Sequence, residues 1–358
     1  MSRFHNLTVS DVRQETRDTV SIAFSVPAEM QDEFRYHAGQ HLALRTRIDG
    51  EEVMRTYSIC TAEQDGELRV AIKRQPHGRF SNFANEQFRA GDSIEVMPPQ
   101  GHFGLKFDAE NRRNYLAVAA GSGITPIISM IKTGLEAEPR STFTLIYGNR
   151  STQNMIFREQ LEDLKNMYME RFTLIPVMSR EQTDIELFHG HIDDEKCREL
   201  FRYWLDPSDL DECVICGPES MVHSVTDALK DAGLAQESIH FELFTAPGEA
   251  QERRRQRQDD ITLDHSAARV VVRVDGGQVE FDLPRNTQSI LDAGMEAGAD
   301  LPFSCKGGVC STCRARVVEG EVEMDVNYAL EDYEIEAGYV LTCQSFPVSE
   351  KVVLDYDA

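Results

Sequence analysis

The sequence predicts three consecutive modules of different class: an antiparallel β-barrel, a doubly wound parallel α/β sheet and a small α+β unit. Three observations predict them. Apolar residues alternate at period two through the first hundred residues, apolar strands alternate with amphipathic helical stretches from Tyr115, and a cysteine-bearing loop lies among short strands near the end. At 358 residues the chain is long enough for each module to bury its own core.

Residues 1–110 read as the barrel. Val20, Ile22, Phe24 and Val26, and again Leu68, Val70 and Ile72, place apolar side chains on one face of half-buried strands. Asp49-Gly50, Asp65-Gly66 and Gly91-Asp92 are turn signals at short intervals, and one short helix is expected over 81–88. Residues 111–245 read as the parallel sheet, with strands over 115–120, 143–147, 172–177 and 214–216. Its clearest helix carries Phe157, Leu161, Leu164 and Tyr168 on one face. Residues 246–266 are charged with little to bury and read as a linker. Residues 267–358 supply two short strands (270–274 and 279–283), a helix over 289–297 and the cysteine loop.

The balance of 37 Lys+Arg against 61 Asp+Glu leaves a net charge of -24, which repels phosphate backbones and anionic membranes. Neither nucleic acid nor a membrane is an expected partner. The sequence shows no apolar run of signal-peptide or transmembrane length, so a cytoplasmic protein is expected. Of eight cysteines, Cys60, Cys197, Cys213 and Cys216 are dispersed, while Cys305, Cys310, Cys313 and Cys343 cluster. In a reducing compartment such a cluster reads as a metal site.

Four residues separate Cys305 from Cys310, two separate Cys310 from Cys313, and 29 lead on to Cys343. That is the plant-type [2Fe-2S] pattern, three thiolates on one tight loop and a fourth from elsewhere. Gly307 and Gly308 let the loop approach a cluster closely. Structural zinc is the alternative, but it favours two C-x-x-C pairs, and here only Cys310 and Cys313 are so spaced.

Gly121-Ser122-Gly123-Ile124-Thr125-Pro126 follows an apolar strand and opens a helix, where main-chain N–H groups and the helix dipole favour a pyrophosphate. Pro126 stands where a full dinucleotide fingerprint has its third glycine; in a first helical turn proline is comfortable. Cys216-Gly217-Pro218 ends a later strand of the same sheet, at the carboxyl edge where open α/β sheets bind ligands. Cys213 reads as simple burial. In the barrel, Arg55 and Tyr57 share a strand face while Ser58 points away unless the strand twists, and Gly78-Arg79-Phe80-Ser81 stands at a helix start. A simple strand-and-cap role remains open for these. After the second strand, Tyr147-Gly148-Asn149-Arg150 supplies a cation where an NAD-type site places an acid.

In this order the motifs resemble the ferredoxin-NADP reductase superfamily, in the subgroup with a C-terminal plant-type ferredoxin domain, over essentially the whole chain. The resemblance implies FAD, a [2Fe-2S] cluster and NADPH rather than NADH. It implies that Arg55 and Gly78, Arg79, Phe80 and Ser81 bind the FAD phosphates, Tyr57 stacks on the isoalloxazine and Ser58 lies near its N5, with Ile72 and Lys73 completing the set. Gly121, Gly123, Thr125, Pro126, Cys216, Gly217 and Pro218 would line the dinucleotide site, Thr125 and Cys216 flanking the nicotinamide. Arg150, Ser179 and Arg180 would hold the 2'-phosphate, and Glu242 and Phe244 would close the flavin pocket. Cys305, Cys310, Cys313 and Cys343 would ligate iron. No acid–base residue is implied, because the task is to position cofactors. The acceptor implied is the oxygenase subunits of a multicomponent monooxygenase. A redox sensor without turnover and a reductase for a ring- or steroid-hydroxylating system remain alternatives. Residues 267–358 carry 17 Asp+Glu and 7 Lys+Arg, hence -10, and Glu331, Asp332 and Glu334 are expected among the surface acids that steer a basic partner.

Overall fold

In this computed structural model the described residues are 4–182, 184–244, 267–285, 287–303, 306–330 and 332–358. The expected linker 246–266, Cys305 and Glu331 lie outside them. The chain forms two compact units, Ser2–Phe244 and a second that runs from Thr245 to Ala358.

In the first unit six antiparallel strands stand in the order β4-β3-β6-β1-β2-β5: β1 (His5–Thr16), β2 (Thr19–Ser25), β3 (His41–Ile48), β4 (Glu51–Ser58), β5 (Leu68–Lys73) and β6 (Ser93–Val96). A bridge between Ile59 and Val70 links the β4 edge to β5 and closes the barrel. Val20, Ile22, Phe24, Leu42, Leu44 and Ile72 fill it. The expectation of half-buried strands fails at β2, where Thr19, Ser21 and Ala23 are buried as well as their apolar neighbours. The reason is Arg69, itself 2% exposed, which covers that outer face; its Nη1 donates to Ser21 Oγ (2.8 Å) and its Nε to Glu67 (2.9 Å). Helix α1 (Arg79–Gln87) begins two residues before the expected position, after Gly78 as N-cap.

The barrel runs into a five-stranded, wholly parallel sheet, order β11-β10-β7-β8-β9. Its strands are β7 (Asn114–Ala120), β8 (Thr142–Asn149), β9 (Phe172–Met178), β10 (Glu212–Gly217) and β11 (Ile239–Leu243). Between them run α2 (Ile124–Ala137), α3 (Arg158–Met167), α4 (Asp194–Tyr203) and α5 (Glu219–Asp231). Phe157 is not on α3 but caps it in the left-handed conformation (φ 59°), so the apolar stripe read from the sequence outruns the helix. Barrel and sheet pack against one another within this unit. Ala38, Cys60 and Ala71 of the barrel join the apolar cluster of Ile124, Ile128 and Tyr115, and Ser129 Oγ donates to Thr61 O at 2.6 Å.

Glu138, just past α2, is buried and accepts from Asp108 N (2.9 Å), Asn111 Nδ2 (2.7 Å), Tyr115 Oη (3.0 Å) and Ser141 Oγ (2.7 Å). Desolvation pushes its pKa up, but these donors outweigh it and hold the carboxyl below its ordinary range. The connection from the barrel is thereby tied to the end of α2.

The second unit is a mixed sheet, order β13-β12-β18-β14-β16, from β12 (Ala267–Val274), β13 (Gly277–Pro284), β14 (Arg314–Glu319), β16 (Tyr339–Leu341) and β18 (Lys351–Asp355). The pair β15 (Val322–Met324) and β17 (Ser345–Pro347) lies beside it. Helix α6 (Ile290–Glu296), capped by Ser289 Oγ accepting from Asp292 N, buries Ile290 and Leu291 in this core. A parallel β12–β18 pair inside otherwise antiparallel pairing is the β-grasp arrangement. The short helix α7 (Asp332–Glu336) carries a correction: Glu334 is no surface acid but is 2% exposed and ion-paired to Arg314. Among the described residues no helix is long and apolar enough to cross a membrane.

Candidate functional site

On β4, Arg55 is exposed, Tyr57 half-buried and Ser58 buried. Arg55 Nη1 donates to Met54 O (2.6 Å), and the Tyr57 ring lies 5.5 Å from that of Phe80, tilted by 38°. Ser58, expected to point away, instead reaches Glu242 of β11, 3.5 Å from hydroxyl to carboxylate. Glu242 pairs in register with Cys216, and Phe244 N donates to Gly217 O (3.3 Å). The barrel and the carboxyl edge of the sheet therefore meet at Ser58, Glu242 and Cys216.

At the start of α1, a Cβ on Gly78 would lie 2.5 Å from Ser81 Oγ, so glycine lets the turn close over that hydroxyl. Ser81 Oγ accepts from Gln75 N (3.1 Å) and donates to Gly78 O (3.3 Å). Arg79 is ion-paired to Glu51 and donates to Ile48 O (2.9 Å), while Phe80 is buried in the barrel. The Ile72 side chain is likewise in the barrel core.

The turn Gly121–Gly123 joins β7 to α2. Gly121 takes φ 54°, and Tyr147 Oη donates to its carbonyl (2.9 Å). Gly123 is required by contact: a Cβ there would lie 2.1 Å from Cys216 O. Thr125 Oγ1 donates to Ser122 O (3.0 Å), and Pro126 sits in the first turn of α2. Cys216 is fully buried; desolvation, then the Glu242 carboxylate, hold its thiol pKa well above the ordinary value, so it is a neutral thiol. A Cβ on Gly217 would meet the end of the Met221 side chain at 2.6 Å and Ala120 at 3.3 Å, and Pro218 caps α5.

Lys73, at the end of β5, brings a cation from the barrel to this turn: its Nζ is 3.6 Å from where a Gly121 Cβ would stand. It has no hydrogen-bond or ion-pair partner among the described residues. Desolvation is the main influence lowering its pKa, and Arg150 pushes the same way. Arg180 N donates to Arg150 O (2.9 Å) and Ser179 N to Asn149 O (2.8 Å), which sets the ends of β8 and β9 side by side. Glu181, unremarked in the sequence, fastens them by accepting from Thr152 N (2.6 Å) and Thr152 Oγ1 (2.9 Å). Nothing local signals it, because the two residues are 29 apart.

In the second unit Cys310, Cys313 and Cys343 are buried, unbridged thiols, and Cys313 and Cys343 line the apolar core. Gly308 takes φ 77°, and a Cβ there would lie 2.9 Å from Val326 O. Soft sulfur donors in an apolar shell, on a loop pulled this tight, fit an iron–sulfur cluster.

Three family models match the chain in succession: Oxidoreductase FAD-binding domain over residues 6–105, Oxidoreductase NAD-binding domain over 117–227, and 2Fe-2S iron-sulfur cluster binding domain over 272–348. A subunit of the 1,2-phenylacetyl-CoA epoxidase of Escherichia coli K12 is 48% identical over 358 residues, 100% of this chain and 99% of the relative. The ferredoxin reductase component of 3-ketosteroid-9-alpha-monooxygenase from Rhodococcus rhodochrous is 34% identical, covering 99% of this chain and 97% of that one. Among solved structures, phthalate dioxygenase reductase superposes over 98% of both chains at 24% identity with a TM-score of 0.59, which supports the fold.

Proposed function

This chain belongs to the ferredoxin-NADP reductase superfamily, in the branch with a C-terminal plant-type [2Fe-2S] domain, and from that membership we propose that it is the NADPH-dependent reductase of a phenylacetyl-CoA epoxidase. It is an NAD(P)H-dependent flavin and iron–sulfur oxidoreductase that serves an oxygenase. The observation that carries the specific reading is identity of 48% over the whole length of the chain, against 34% for the steroid-system relative. Its partners on this reading are the di-iron oxygenase subunits. Seven described cysteines, all unbridged, support a reducing, cytoplasmic location.

Bound FAD would supply hydride acceptance from a nicotinamide with release of electrons one at a time, and a [2Fe-2S] centre would supply one-electron carriage. The chain's part is to bind and orient. Arg55, Gly78, Arg79 and Ser81 would hold the flavin phosphates, and Tyr57 would pack against the flavin. Ser58 and Glu242 would border it beside Cys216, whose neutral thiol would border the nicotinamide with Thr125. Gly121, Gly123 and the first turn of α2 would present main-chain N–H groups to the dinucleotide pyrophosphate, with Lys73 as its counter-charge. Cys310, Cys313 and Cys343, with Cys305, would hold the irons.

Preference for NADPH rests on Arg150, Ser179 and Arg180. In a chain of net charge -24, two exposed arginines without partners among the described residues, held side by side at the carboxyl edge, suit a 2'-phosphate. The test is reconstitution with purified oxygenase subunits of a phenylacetyl-CoA epoxidase and, separately, of a steroid hydroxylase, following NADPH oxidation that depends on each substrate. Coupled turnover with the epoxidase subunits, well above that with the steroid system, is expected. Equal or lower turnover with the epoxidase subunits would overturn the assignment.

A further inference from the structure

The segment that delivers Cys343 is tied to the cysteine loop on both sides. On one side Thr342 Oγ1 donates to Cys313 O (3.0 Å) and accepts from the buried Tyr356 hydroxyl (2.7 Å). On the other, Gln344 Nε2 lies 2.9 Å from Lys306 O, 2.9 Å from Cys343 O and 3.5 Å from Cys343 Sγ. Gln344 is 4% exposed, so water does not satisfy its amide. Both carbonyls only accept, which fixes the amide with its nitrogen, not its oxygen, toward the sulfur; with two hydrogens for three acceptors, the one toward Cys343 is shared between its carbonyl and its sulfur.

Lys306 is the residue that most needs such a tie. It takes φ 52°, unfavourable for a side chain with a Cβ. Its ammonium is held by Asp292 (2.7 Å) and stands 4.5 Å from the centre of the Phe303 ring, and Gln344 holds its carbonyl. Gln344 also packs over the loop, its Cγ 3.1 Å from where a Cβ on Gly308 would stand.

We propose that Gln344 is a positioning residue of the iron–sulfur site, one that fastens the cysteine loop to the Cys343 segment and raises the reduction potential of the cluster by donating to the Cys343 sulfur. This rests on the [2Fe-2S] reading of the cysteine set. Reduction adds negative charge that spreads onto the ligand sulfurs, and a donor aimed at one of them stabilises the reduced state. Losing that donor should shift the one-electron equilibrium roughly tenfold toward the oxidised form, about 59 mV more negative.

The test is an EPR-monitored redox titration of the full-length protein and of Gln344→Met, Gln344→Asn and Thr342→Val, with iron and sulfide measured in each. Met fills the same space without a donor, Asn is too short to reach the Lys306 carbonyl and the sulfur together, and Thr342→Val breaks the opposite tie while leaving the sulfur donor. The expected result is a fall in midpoint potential that is largest for Gln344→Met, smaller for Gln344→Asn and smallest for Thr342→Val. An unshifted Gln344→Met, or an equal shift in Thr342→Val, overturns the proposal. Should Gln344→Met hold no cluster, Gln344→Asn decides by the same criterion, and loss of cluster from both would overturn the tuning role. A wild-type protein without a [2Fe-2S] signal would instead defeat the underlying reading.

Discussion

Gly123→Ala isolates the contact on which the dinucleotide site is built. Gly123 has helical backbone angles (φ -60°, ψ -12°), so alanine is acceptable to the main chain. On conformational entropy alone the change would stabilise the protein by about 0.4–1 kcal/mol. The added methyl, however, would lie 2.1 Å from Cys216 O, 2.6 Å from Cys216 C and 3.0 Å from Gly217 N, all main-chain atoms of β10, a strand paired on both sides. No side chain can swing away, so turn and strand must separate by about 1 Å, a misplacement able to cost about 100-fold in rate. Overpacking of this kind costs about 1–3 kcal/mol, which outweighs the entropic gain. The expected outcome is a lower melting temperature and a fall of about two orders of magnitude in kcat/KM for NADPH with ferricyanide as acceptor. A variant that melted at or above wild type with unchanged kcat/KM would refute the close approach of the glycine turn to β10.

Arg180→Ala should raise KM for NADPH far more than for NADH, and equal effects in steady-state assays would remove Arg180 from 2'-phosphate recognition. Glu138→Gln keeps the shape but turns an amide toward buried donors and should cost about 2–3 kcal/mol at neutral pH by thermal melts. Because the folded pKa of Glu138 is depressed, its stabilisation is present above the ordinary carboxylate range and lost as pH falls through the folded value. The gap between wild type and Glu138→Gln should therefore close on acidification; a constant gap would show that the charge is not the source. Partner reduction should slow with ionic strength and with reversal of the exposed Glu321, Glu323 and Glu336 to Lys, read by stopped flow. Glu334 is excluded from that set because its reversal would break the buried pair with Arg314 and report on folding.

What the sequence by itself determined is what short stretches encode. Alternation at period two announced the barrel strands, and strand–helix alternation announced the parallel sheet, because each pattern is complete within a few residues. The cysteine spacing and the Gly121–Gly123 turn are local in the same sense, and both fall within matched family models. Tertiary structure decided everything that joins distant residues. Ser58 turns to Glu242 across 184 positions, Lys73 comes to the glycine turn from another sheet, and Gln344 closes on Lys306 from 38 residues away. Burial of polar groups was equally hidden: Glu334 was expected at the surface, and no pattern in the sequence marks Arg69 or Glu138 as buried. An ionised group leaves water only when several donors or a counter-charge meet it, and which residues meet is a property of the packed chain rather than of any window of sequence.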